Sequence, residues 1–258
     1  MTGSTSAGPL TGRAVLVTGA SSGIGRAIAR ACAAAGADVA VTFRVNAEGA
    51  HAVAHEITAM NRRAAAIPLD LADASSVRSV GPAALSALGR LDVWVNNAGA
   101  DILTGPGAAL STIEKLDRLL AVDLRGTMLA SWEAAGILGA QDEGGVIINM
   151  SWDHVLIGMA GENPQLYSAV KGGVLAFSKS LARSVAPRVR VNILAPGWIE
   201  TSFGAGADER LRNDVVESTP LKRWGTPADV AGAAVYLASP AASFLTGQTI
   251  LVGGGVVM

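Results

Sequence analysis

A chain of 258 residues that is 50% hydrophobic and 16% charged is long enough for one sizeable α/β domain and short for two independent ones. With 20 Lys and Arg against 21 Asp and Glu, the formal charge of -1 offers no global field for gathering nucleic acid or holding an anionic membrane. A small molecule is the expected partner. The single cysteine, Cys32 in AIARACAAAGA, excludes a disulfide framework, points to a reducing compartment, and should pack as a small buried thiol much as alanine does.

The opening MTGSTSAGPLTGR has neither a basic leader nor an apolar stretch of signal-peptide length, so residues 1–12 read as a flexible leader. No apolar run approaches bilayer length, and the chain is expected to be soluble and cytoplasmic. Ala14 to Val17 is a short apolar run leading into a glycine turn, and IGRAIARACAAAG then places small and apolar residues at helical spacing: strand, turn, helix. DVAVTF (38–43) follows Gly36 as a second strand, with the helical segment HAVAHEITAMNRR after it. AAAIPL (64–69), LDVWVNN (91–97), GVIINMS (145–151) and VRVNILAP (189–196) continue the series, separated by helix-length sequence. Strands without a polar alternate face, alternating with helices, predict an α/β parallel sheet covered on both sides. Ligands bind beyond the carboxyl ends of such strands, so the loops after Val17, Phe43, Leu69, Val95, Met150 and Ala195 should surround one site. No internal repeat or linker divides the chain, and no metal site is expected.

The turn after the first strand reads Thr18-Gly19-Ala20-Ser21-Ser22-Gly23-Ile24-Gly25. Glycines here let the backbone turn sharply and approach a ligand, and a helix N-terminus presents free N–H groups to a pyrophosphate. At the end of the second strand, where NAD-binding folds place a carboxylate against the ribose 2′-hydroxyl, stand Phe43 and Arg44. A guidinium-bearing residue there suits a 2′-phosphate, which favours NADP(H) over NAD(H) and leaves dual use open.

TGASSGIG (18–25), Asp70-Leu71, NNAG (96–99), YSAVK (167–171), PGWIET (196–201) and LTGQTILVGGG (245–255) together resemble the short-chain dehydrogenase/reductase family over nearly the whole chain after the leader. The likeness extends to its 3-oxoacyl-acyl-carrier-protein reductase-like and glucose dehydrogenase-like members. It implies a single Rossmann-type doubly wound domain over 13–258. It further implies that Asp70 and Leu71 contact adenine, that Asn97, Ala98 and Gly99 line the cofactor, and that Gly197 after Pro196 bends the chain around the nicotinamide while Ile199 and Thr201 hold its amide. A homotetramer, or a homodimer, is the implied assembly.

Tyr167 and Lys171, at i and i+4 in a strongly helical stretch, project from one face. Carbonyl reduction needs a proton donor at oxygen as hydride reaches carbon. Making a phenol a base near neutrality means lowering its pKa by roughly 2–3 units, about 3–4 kcal/mol. An ammonium about 4 Å away at an effective dielectric of about 20 contributes about 4 kcal/mol, which is the role read for Lys171. Ser151 is read as the hydroxyl that orients the substrate oxygen, although alignment from Asn149 puts Trp152 where the family often has that serine. An insertion before Pro164 would reconcile the long gap to Tyr167, and a differently turned loop would bring Asp153 or His154 to the substrate; for His154, a backbone hydrogen bond is the plainer expectation. Asp123 stands where the family usually has an asparagine. In helical register it shares a face with Leu116, Leu119, Leu120 and Thr127, so it should point inward, pair with Lys171, relay a proton through water, and raise the pH at which Tyr167 becomes a base.

The resemblance implies that residues near 198–224, between PGWIET and PLKRWG, cover the substrate; Trp198, Phe203 and Trp224 there could wall an apolar pocket, with Asp101, Ile102 and Leu103 contributing. The leading expectation is a ketone or 3-oxoacyl group interconverted with a secondary alcohol. A non-redox isomerase or lyase on the same fold, and a cofactor-binding regulator without turnover, stay open.

Overall fold

The computed structural model describes residues 8–258, apart from the side chain of Phe203. The chain runs β1 (Ala14–Val17), α1 (Gly23–Ala34), β2 (Asp38–Phe43), α2 (Ala47–Thr58), β3 (Ala64–Pro68), α3 (Ala74–Leu88) and β4 (Val93–Asn96). It continues through α4 (Gly105–Ala108), α5 (Thr112–Leu119), a π-helical segment (Leu120–Gly126), α6 (Thr127–Gly139), β5 (Gly145–Met150) and a 3-10 turn (Asp153–Leu156). The last part is α7 (Glu162–Val185), β6 (Val189–Pro196), α8 (Ser202–Ala205), α9 (Glu209–Ser218), α10 (Pro227–Ala238) and β7 (Thr249–Val252). All seven strands are parallel, in the order β3-β2-β1-β4-β5-β6-β7. Crossing from β3 on one side to β4 on the other puts the reversal of strand order beside β1, and a crevice opens there at the carboxyl edge.

The period of two along each strand divides the core. Val15 and Val17 of β1 pack with Ile28, Val53 and Val230 under α1, α2 and α10, whereas Ala14 and Leu16 pack with Val80, Ala134 and Leu181 under α3, α6 and α7. Both faces of the sheet are covered, which is why the strands show no polar alternation. β7, which lies inside the LTGQTILVGGG motif, pairs with β6 and closes the far edge.

The flexible leader expected over residues 1–12 needs correction. Residues 1–7 lie outside the described residues, but Leu10 is fully buried in the core and its N–H donates to Ala35 O at 2.9 Å. A leucine at the base of α1 has apolar surface to bury, and burying it orders the chain from Gly8 onward. The register expected around Asp123 holds only in part. Leu119 and Asp123 are fully buried, while Leu120 is 40% exposed, because the wider turn of the π-helical segment rotates it away from the core.

A buried polar network ties α6 and α7 to the sheet. Asn96 Nδ2 donates to Asn149 Oδ1 (2.8 Å) and Ser131 Oγ (3.0 Å), and Asn149 Nδ2 donates to Ser178 Oγ (2.8 Å). β4, β5, α6 and α7 are thereby fixed in mutual register through groups that would be costly to leave unpaired.

Candidate active site

The crevice at the carboxyl edge is a cleft of about 1050 Å³. Its floor is the glycine turn. Gly19 has φ +63°, and a Cβ there would lie 2.8 Å from Ala98 Cα. Gly25 is buried against Gly19 O and Asn97 Nδ2, and Gly23 has φ +54°. Neither Gly23 nor Gly25 lines the cleft, so these two serve the turn's shape and its packing rather than its surface. Ser22, the N-cap of α1, makes no side-chain capping bond, in contrast to the capping boxes that close α5 and α10. The first amides of α1 are therefore left for an anion. Asn97 holds the turn rather than merely lining it: its Nδ2 donates to Thr18 O and Gly19 O, and its own N–H and that of Ala98 donate to Thr18 Oγ1. Thr42, fully buried, accepts from Gly19 N–H (3.2 Å). No local signal marks the hydrogen bonds of Thr18 and Thr42, because they exist only once β1, β2 and β4 are adjacent.

Ser21, Ser22, Ile24, Arg44, Asp70, Leu71, Ala98, Gly99, Pro196, Gly197, Ile199 and Thr201 all line the cleft. Arg44 is exposed at the end of β2 and makes no ion pair among the described residues. Asp70 is turned back on its own loop, accepting from Ala72 N–H. Unsatisfied amides at a helix start, a backbone floor that only glycine permits and a lone guanidinium at the second strand together fit a dinucleotide with a 2′-phosphate.

At the other end stand Tyr167 and Lys171, on the face of α7 that turns into the cleft. Lys171 Nζ lies 5.4 Å from the Tyr167 ring centre and 3.0 Å from Asp123 Oδ1. Asp123 Oδ2 accepts from Ala100 N–H at 2.7 Å, and Gly99 comes so near that a Cβ would sit 2.8 Å from Oδ1. The inward orientation and the pairing expected of Asp123 are thus observed. Asp123 is fully buried and Lys171 is 3% exposed. Burial pushes the Tyr167 phenol above its ordinary range, Lys171 pulls it down, and Asp123 pushes it up again. Lys171 loses charge stability by burial but is carried well above the ordinary lysine range by Asp123 and then Tyr167. The opposing effects of Lys171 and Asp123 run in the directions expected, and burial adds to that of Asp123, so Tyr167 is held as the phenol.

The loop after β5 departs from expectation. Ser151 lines the cleft as expected but is buried, and its hydroxyl donates to Lys171 O at 2.9 Å, which leaves the oxygen's lone pairs rather than its proton toward the cleft. Trp152 follows in extended conformation, lines the cleft and meets the Tyr167 ring at 5.4 Å and 65°. Asp153 and His154, expected to contact substrate, do not line the cleft but lie buried behind it. His154 pairs through Nδ1 with Asp153 Oδ1 (2.6 Å), not with backbone. The length before Pro164 is taken up by exposed residues 157–161, with Gly158 and Gly161 at positive φ. Trp198 lines the cleft, whereas Trp224 is buried behind it, 5.6 Å from Trp198, its indole N–H donating to Arg212 O. Phe203 lies outside the described side chains.

The family model described as "Enoyl-(Acyl carrier protein) reductase" matches residues 19–257. A 3-oxoacyl-[acyl-carrier-protein] reductase of Synechocystis sp. is 38% identical over 96% of this chain and 98% of its own. Among solved structures, a short chain dehydrogenase from Burkholderia cenocepacia J2315 in complex with NADP superposes with a TM-score of 0.86 at 35% identity, covering 96% of this chain and 99% of that one. A blue fluorescent protein from a metagenomic library in complex with NADPH does so with a TM-score of 0.86 at 34% identity, covering 97% and 100%. With the family model matching residues 19–257 and relatives of this identity covered along nearly their whole length, the chain belongs to the short-chain dehydrogenase/reductase family of oxidoreductases.

Proposed function

We propose that this protein is an NADP(H)-dependent carbonyl reductase that interconverts a ketone or 3-oxoacyl group and a secondary alcohol, with Tyr167 as acid and base. The observation that carries this is the cleft itself, which joins the open amides of α1 and Arg44 at one end to Tyr167 and Lys171 at the other. Gly19, Ser21, Ser22 and Ile24 would cradle the pyrophosphate, Arg44 the 2′-phosphate, Asp70 and Leu71 the adenine, and Gly197, Ile199 and Thr201 the nicotinamide end; NAD(H) would forgo the Arg44 contact. The bound dinucleotide would supply or accept the hydride.

The chain's own residues handle the proton. Tyr167, kept as a phenol by burial and by Asp123, donates from its hydroxyl to the substrate oxygen, and Lys171 lowers the cost of the phenolate left behind. Asp123 keeps Lys171 charged and in place and relays the returning proton through water. This balance favours reduction. Ser151 acts on Lys171 by holding its backbone, while Trp152 and Trp198 face the substrate and the segment near 198–224 covers it.

No helix among the described residues is long and apolar enough to cross a membrane. A free, buried Cys32, its thiol pushed up to about 12 by burial, supports a cytoplasmic setting. Exposed Trp132 edge-on to Phe177, with exposed Tyr236 and Phe244, supports self-association as a homotetramer. The test is NADPH consumption against a panel of ketones, thioesters and alcohols with Tyr167→Phe as control: a loss of roughly 10²–10⁴-fold in kcat with NADPH binding retained is expected. Turnover surviving that substitution would overturn the assignment.

A further inference from the structure

Behind the cleft wall at the end of β5, the structure gathers groups that the proton and hydride steps do not use. Asp153 is fully buried, with one oxygen on His154 and the other without a hydrogen-bond partner. That second oxygen is wedged between Gly197 and Gly253, where a Cβ would come within 2.4 Å and 2.2 Å of it. Only glycine at both positions leaves room for the carboxylate. The imidazole that Asp153 holds is stacked on Trp152 (ring centres 4.8 Å apart, planes at 18°) and is met edge-on by Trp198 (5.9 Å, 76°). Trp152 in turn meets the Tyr167 ring edge-on, at 5.4 Å. The imidazole is therefore a spacer between two indoles that both face the cleft, and the buried carboxylate fixes its plane.

We propose that Asp153 and His154 are positioning residues that lock Trp152 against Tyr167, and that Trp152 so held makes the site select carbonyl substrates bearing a flat apolar group, such as an aryl ring, beside the reacting carbon. This rests on the hydride-transfer reading above. For a carbonyl oxygen to reach the Tyr167 hydroxyl, its substituent must pass the neighbouring indole. A locked indole offers a stacking surface without loss of rotamer freedom on binding, and stacked aromatic pairs gain energy beyond area burial. Along the same cleft, Ile102, Met159 and Trp198 continue an apolar wall.

The test is a cycle between His154→Ala and Trp152→Ala, measuring kcat and KM for NADPH-driven reduction of an aryl ketone and of a straight-chain aliphatic ketone. His154→Ala should raise KM for the aryl ketone roughly tenfold, move kcat less, and leave the aliphatic KM within about twofold. In the Trp152→Ala background the same change should have less than about a twofold effect, since the first residue acts through the second. His154→Phe, which keeps a flat neighbour for the indole but forfeits the bond to Asp153, should recover only part of the aryl-ketone KM, falling between His154→Ala and the parent. Asp153→Leu should follow His154→Ala; should it not fold, the His154 variants decide. Near-UV circular dichroism reads the same coupling without turnover: His154→Ala should alter the indole bands of the parent, and most of that change should vanish in a Trp152→Phe background. Additive effects in the cycle, equal KM shifts for both ketones, or an undiminished band change would overturn the proposal. If no ketone is reduced by the parent, the hydride-transfer reading falls and the spectral comparison alone judges the positioning.

Discussion

Asp123→Asn isolates the electrostatics of the site, because the amide keeps the side chain's shape and an oxygen for Ala100 N–H while removing the charge that faces Lys171. Asp123 touches Lys171 at 3.0 Å, and Lys171 stands 5.4 Å from the Tyr167 ring centre, so the carboxylate lies within about 8 Å of the phenol. A unit charge at that distance is worth about 2 kcal/mol at an effective dielectric of about 20 and about 0.5 kcal/mol in bulk water. The intermediate case is roughly one pH unit. The sign follows from Asp123 raising the Tyr167 pKa: the anion disfavours phenolate, so its removal makes Tyr167 a base at lower pH. The pH dependence of kcat/KM for alcohol oxidation should therefore shift downward by about one unit in Asp123→Asn. Ultraviolet difference titration against Tyr167→Phe should report the same displacement of phenolate formation. An unchanged profile, or an upward shift, would refute the coupling.

Arg44→Ala should weaken NADPH binding about tenfold and NADH binding hardly at all, measured by fluorescence titration; equal loss for both would remove the 2′-phosphate from the account. Asn149→Leu should cost about 3 kcal/mol in denaturant unfolding, because Asn96 and Ser178 lose their buried partner; a cost below about 1 kcal/mol would mean the network contributes little to holding α7.

Where one segment carries its own signal, the sequence was legible. Apolar runs along β1, β2 and β6 predicted a sheet covered on both faces, and Tyr167 and Lys171 declared their common face through helical spacing alone. What stayed hidden depends on packing between distant segments. Leu10 could be known to be buried only once Ala35 was known to lie beside it. A π-helical turn at Leu120–Gly126 leaves no mark on the hydrophobic pattern except the misplacement of Leu120. The hydroxyl of Ser151 looked available because nothing local competes for it; its acceptor, the carbonyl of Lys171, belongs to another element. Likewise, whether the loop turns Asp153 toward the substrate or away from it cannot be read locally. Its burial depends on Gly197 and Gly253, which arrive from β6 and β7.

The central claim, hydride transfer at this cleft, is tested most directly by incubating the enzyme with NADPH deuterated on either face of C4 of the nicotinamide and a ketone it reduces, then locating the label in the product by mass spectrometry and NMR. One of the two faces should deliver deuterium to the carbinol carbon and nowhere else, and the transfer should disappear in Tyr167→Phe. Product carrying no label from either face would contradict the account.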